Sequence, residues 1–163
     1  MNLLLAMAAV GVLVSFQALA DGPVHVWRTL ESTFDAAAGE VCDFAYHQEA
    51  RNVQNIKRWV DADGNPIGAI RTEDLWVLHQ NAETGYTLTE VDHYTVHWSY
   101  ESGDFVFAGN GWHLRDEDGR LVLVKSGRYV IDIETGDLVS ETPNVGGDFA
   151  DMICPALGGA PAQ

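Results

Sequence analysis

The stretch "DHYTVHWSY", residues 92–100, alternates polar and aromatic residues, and histidines so placed can ligate a metal or move a proton. In an extended strand Asp92, Tyr94, Val96, Trp98 and Tyr100 share one face, while His93, Thr95, His97 and Ser99 share the other. The first face is the more apolar and is expected to point inward. If Glu101 pairs with Phe105 across the following turn, Trp112 falls opposite Tyr94, Ala108 opposite Trp98 and Val106 opposite Tyr100. Large side chains then meet large or small ones, the pattern of a core. Tyr94, Trp98, Tyr100 and Trp112, with Asn110 as a polar neighbour, are the expected ligand-contacting residues of an interior cavity.

The same register sets His113 opposite His93. A pairing of Asn81 with Tyr86 brings Asp74 to the other side of His93. A row Asp74–His93–His113 would suit zinc or copper, but a one-residue slip in either hairpin dismantles it. His97 lies roughly 13 Å along the strand, too far to join. The expectation is therefore no metal and no cofactor. "DADGN" at 61–65 and "DEDG" at 116–119 look like the start of calcium loops. Gly64 is misplaced, however, and Thr72 stands where a bidentate Glu is needed. Both read as hairpin turns. His47 and Glu49 share a strand face with Asp43 and could do acid–base work at a barrel mouth, although such pairs are more often solvated. No nucleophile elbow, zinc-protease helix, phosphate loop or dinucleotide fingerprint is present.

These residues have to be positioned by something, and the pattern points to strands. Extended segments at 42–50, 53–60, 67–80, 87–100, 105–114, 121–133 and 138–142 are rich in Val, Ile, Tyr, Trp and Thr. The first two are one bent ribbon or two strands. Turns carrying Gly64, Gly85, Gly103, Gly119 and Gly136 separate them. Residues 21–40 read as an N-terminal arm with a short helical turn, 148–157 as a terminal helix, and 159–163 as a flexible tail. Consecutive hairpins without a crossover predict an all-β antiparallel meander at 41–158. Its six to eight strands are expected to close into an up-and-down barrel of the calycin or allene-oxide-cyclase kind. Five tryptophans, Trp27, Trp59, Trp76, Trp98 and Trp112, either line that barrel or fill it.

An apolar run at 3–16 followed by Ala18-Leu19-Ala20 reads as a secretory leader cut after Ala20, too short for a membrane span. In an exported chain the two cysteines, Cys42 and Cys154, are expected to form a disulfide. Of the 163 residues, 24 are acidic and 9 basic, a formal net charge of -15. Such a surface repels nucleic acid and anionic membranes.

The segments "AGEVCDF", "ETGYTLT", "VKSGRYVIDIETGDLVS" and "GDFADMICPALG" resemble a group of small exported actinobacterial domains over residues 38–158. Cys154-Pro155-Ala156-Leu157 departs slightly from that group's ending. The resemblance implies secretion, the disulfide and an all-β fold, and it transfers no catalytic residue. Taken together, the sequence predicts a monomeric secreted module that binds a small apolar molecule or an extracellular partner. The competing expectation is a barrel cyclase or isomerase, which a buried pair such as Asp92 with Arg128 would favour.

Overall fold

The computed structural model describes residues 22–142 and 148–159. The expected leader and residues 160–163 of the expected tail lie outside the described residues. Seven strands follow one another: β1 (Val24–Ala36), β2 (Tyr46–Val60), β3 (Pro66–Asn81), β4 (Thr87–Ser99), β5 (Asp104–Arg115), β6 (Leu121–Asp132) and β7 (Leu138–Glu141). Each pairs antiparallel with the next, so spatial order equals chain order. The expected turns form where their glycines allow, with Gly64, Gly85, Gly103, Gly119 and Gly136 all at positive φ. The hydrogen-bonded order begins at β1 and ends at β7, which do not pair. Backbone bonding therefore does not close the sheet.

Two expectations are corrected at the N-terminal side. Residues 24–36 form a full strand rather than an arm, and the turn comes after it, at 38–40. The segment 42–60 is a single strand that begins only at Tyr46. β1 pairs with β2 alone and is exposed at every position except Ala36. Its apolar pattern is weak because it sits at the edge.

Alternation decides which residues go inside. Hairpin pairing puts Asp74 opposite His93 as expected, so the even residues of β2 and β4 and the odd residues of β3 share one face. A single hollow touches residues of β2 through β6 on that face. Five strands laid flat would span roughly 19 Å, so the sheet curls, and this face is concave.

At one end of the concave face, α1 (Phe149–Ala156) caps the sheet. Its N-cap Asp148 accepts from the Ala150 N–H at 2.9 Å. Ile153, Cys154 and Leu157 pack on Cys42, Phe44, Tyr46, Leu88 and Leu114 as the main core. The Cys42–Cys154 disulfide is formed, with Cα atoms 5.4 Å apart, and ties the helix to the chain just before β2. A second apolar cluster, Val96 and Phe107 with Tyr94, Trp98, Phe105 and Tyr129, lies farther along the same face. No helix among the described residues is long and apolar enough to cross a membrane.

The β4–β5 register differs from expectation. Ser99 pairs with Asp104 and Trp98 with Phe105, and the register shifts between Glu90 and Tyr94. Tyr94 faces Gly109, not Trp112. A Cβ on Gly109 (φ 142°) would lie 2.7 Å from both the His93 carbonyl oxygen and Tyr94 Cα. Only glycine lets β5 approach β4 so closely there.

Candidate functional site

The middle of the concave face, between the two apolar clusters, is polar. Gln54, Glu73, His79, Asn81, Glu90 and Asp92 are all buried. Hydrogen bonding sorts most of them into two clusters on neighbouring strands.

The first cluster surrounds Glu73. Its carboxylate forms an ion pair with Arg71 on its own strand. It also accepts from Asn52 Nδ2, from Gln54 Nε2 at 2.8 Å and from the Tyr94 hydroxyl at 3.1 Å. Arg28 on β1 donates to Gln54 Oε1 at 2.6 Å. The Arg71 guanidinium stacks 4.7 Å above the Trp98 ring. Burial is the main cause that pushes the Tyr94 hydroxyl up from its ordinary value, with Glu73 adding to it.

The second cluster is a relay running from β2 to β5. The Tyr46 hydroxyl lies 2.7 Å from His79 Nδ1, and His79 Nε2 lies 2.7 Å from Glu90 Oε2. Burial pulls His79 down to about 4, so the ring is neutral at pH 7. One tautomer satisfies both nitrogens: Tyr46 donates to Nδ1, and the Nε2–H donates to Glu90. Burial likewise raises Glu90, whose side chain is hydrogen-bonded to Asp92. Asp92 is pushed up to about 8, first by burial and then by its bond to Glu90. The His113 N–H donates to Asp92 Oδ1 at 2.9 Å. Asp92 Oδ2 is buried without a hydrogen-bond partner, an environment that favours the protonated acid. The relay thus gathers two buried acids, both raised above the ordinary carboxylate range.

His79 and Glu90 open into the hollow that spans the concave face, a cavity of about 340 Å³. Tyr94, Phe107 and Tyr129 line it on one side, Trp112 and Phe149 on another. The Phe107 and Tyr129 rings are parallel at 4.7 Å, Tyr94 and Phe107 are 4.9 Å apart, and Trp112 and Phe149 are 5.7 Å apart. No lysine or arginine lines the cavity. Another hollow of about 350 Å³, at the hairpin end by Trp59, Ile67, His97 and Trp98, carries no buried ionisable side chain. The concave cavity is therefore the better candidate.

Of the sequence-derived candidates, Tyr94 and Trp112 line this cavity. Trp98 shares the concave face but sits beside Arg71 and Phe105. Tyr100 lies in the β4–β5 turn and is exposed. Asn110, displaced by the β5 irregularity, lines a separate surface depression with Asp74, His93 and Trp76. Trp27 and Trp76 are exposed, and Trp59 lies on the convex face beside Gly68.

The metal row does not assemble. Asp74 and His93 bond at 2.5 Å on the exposed face, while His113 Nδ1 lies 3.5 Å from Asp92. Among the described residues no group of three His, Cys, Asp or Glu side chains is placed to hold a metal ion. Arg128, whose buried pairing with Asp92 would have favoured the enzyme, is exposed on β6, and Asp92 neighbours Glu90 instead. His47 lies on the convex face, bonded to Asp35 at 2.6 Å and 3.5 Å from Glu49. Asp61 accepts from the Asp63 and Asn65 backbone N–H groups, which makes "DADGN" a turn.

Tyr46, Glu73, His79 and Glu90 are the residues that sequence reasoning passed over. The signal was present. Once Asp74 and His93 face outward together, Glu73 and His79 on β3 and Glu90 on β4 must face inward. Compared with protein families, with curated proteins and with solved structures, the chain matches none.

Proposed function

We propose that the protein is an exported binding module whose curled sheet holds one small molecule in the concave cavity. One observation carries this reading: a single hollow combines five aromatic side chains with the hydrogen-bonding pair His79 and Glu90. Ligand sites commonly take this form, with apolar walls for the body of a molecule and a few placed polar groups to orient it. The leader-like start of the sequence and the disulfide support export. Meander order and curl support an up-and-down barrel of the calycin kind, with its seam between β1 and β7.

The test is a titration of ¹⁵N-labelled protein with benzyl alcohol, a neutral probe with an apolar body and one hydroxyl. Saturable shifts at the Trp112 indole and at the backbone of Glu90 and Tyr129 are expected, and Trp112→Leu should weaken them. A panel of neutral aromatic alcohols that leaves these signals unmoved at millimolar concentration would defeat the reading.

A second reading, a barrel isomerase, is favoured by the buried relay. A carboxylate at Glu90 could take a proton from the carbon beside a ligand carbonyl and return it elsewhere on the same molecule. Such an enzyme would exchange solvent deuterium into an enolisable ketone and lose that exchange on Glu90→Gln.

A further inference from the structure

We infer that the ligand of the concave cavity is an organic ammonium ion carrying alkyl groups, held by the aromatic walls and the Glu90 carboxyl. This rests on the reading of the cavity as a ligand site and specifies what that site selects.

The relay sets two buried acids side by side, with only the His113 imidazole, 3.5 Å from Asp92, as a basic group beyond His79. Two acids, Glu90 and Asp92, are buried in contact, and no lysine or arginine lines the cavity beside them. The nearby guanidinium of Arg71 is already committed to Glu73 and to the face of Trp98. His79 is neutral and spends both ring nitrogens on Tyr46 and Glu90. A buried anion without a counter-charge is expensive, and a cation entering the cavity would relieve that cost.

The walls have the matching chemistry. Aromatic faces carry partial negative charge and attract cations, most strongly where water is excluded. Five of the cavity-lining residues are aromatic, in the groups Tyr94–Phe107–Tyr129 and Trp112–Phe149. An alkylated ammonium ion fits such walls better than a metal ion, because it needs no ring of oxygen ligands and tolerates loss of its weak hydration. Inorganic cations would want three or more carboxylate or imidazole donors aimed at one point, and no set among the described residues is placed to hold one. At about 340 Å³ the cavity sits at the small end of the range for ligand pockets. The net charge of -15 would further concentrate cations at the protein surface.

The experiment compares choline with 3,3-dimethylbutan-1-ol, which has the same shape but carries no charge, by calorimetry and by the Trp112 indole signal. Choline is expected to bind at one site at least tenfold more tightly than the alcohol. The isosteric double variant Glu90→Gln/Asp92→Asn, which removes the charge while keeping the hydrogen bonds, should abolish that preference. Tyr129→Leu should weaken choline binding severalfold while leaving the fold, checked by circular dichroism, unchanged. Equal binding of choline and the alcohol, or a preference that survives the double variant, overturns the inference while leaving the cavity reading intact. Should neutral probes bind and choline not, the inference likewise falls. Failure of choline and of every neutral probe would remove both readings together.

Discussion

Glu73 and Glu90 lie on adjacent strands of the same face, and both are buried, yet their surroundings are opposite. Glu73 faces a guanidinium, two side-chain amides and a phenol, so its charge is met by a cation and three donors. Glu90 has a neutral imidazole on one side and another acid on the other. The first arrangement uses charge to join β2, β3 and β4. The second leaves two raised acids beside each other at the wall of a cavity. Burial alone does not mark a functional acid; the lack of a compensating partner does.

The largest expected effect tests the first half of this contrast. Glu73→Leu would strand Arg71 and unsatisfy Asn52 and Gln54, and should cost about 3–5 kcal/mol in urea denaturation, as breaking a buried ion pair does. Glu90→Gln, by contrast, should cost under about 1 kcal/mol at pH 7. Glutamine still accepts from His79 and can donate to an ionised Asp92, so the net charge of the pair does not change. Comparable losses for the two variants would erase the distinction.

Next comes pH. Asp92 is raised to about 8 in the fold, above its unfolded value of about 3.9. The native state therefore holds the extra proton between those values, and stability falls as pH rises through that window. His79 is lowered to about 4, below its unfolded value of about 6.5, so its contribution rises with pH from 4 to 6.5. The two slopes oppose below 6.5; above it the Asp92 decline remains, with the raised Glu90 and His47 acting in the same direction. Groups facing Asp92 include Glu90 on its own strand, His79 on β3 and His113 on β5. Denaturation midpoints measured from pH 5 to 9 should fall above 6.5, and Asp92→Asn should flatten that fall. A wild-type curve flat from 6.5 to 8 would mean that Asp92 is not the proton holder.

The last test concerns the far end of the relay. Tyr46→Phe leaves His79 Nδ1 buried without its donor and should cost about 1–3 kcal/mol. It should also let the ring reorient, which ¹⁵N imidazole shifts would report. No change in those shifts would show that Tyr46 fills space without fixing the tautomer.

Much of the architecture was legible before any coordinate. Turn glycines, alternation and the cysteine pair act locally or by counting, so the meander, the inward face of Tyr94 and the disulfide could be read from residues alone. β1 was not legible, since an edge strand exposed along nearly its whole length carries little alternation. The β4–β5 pairing was misread at its turn, where Ser99 pairs with Asp104, and the irregularity between Tyr94 and Glu90 shifts it again. That shift moved Asn110 out of the interior and turned His113 from His93 towards Asp92. The facing of Glu73, His79 and Glu90 was written in the period of two, whereas their partners were not. Which acid meets a guanidinium and which meets another acid depends on strands brought together from β2 to β5. Only the tertiary structure decides that, because desolvation and pairing are properties of the assembled interior and not of the chain.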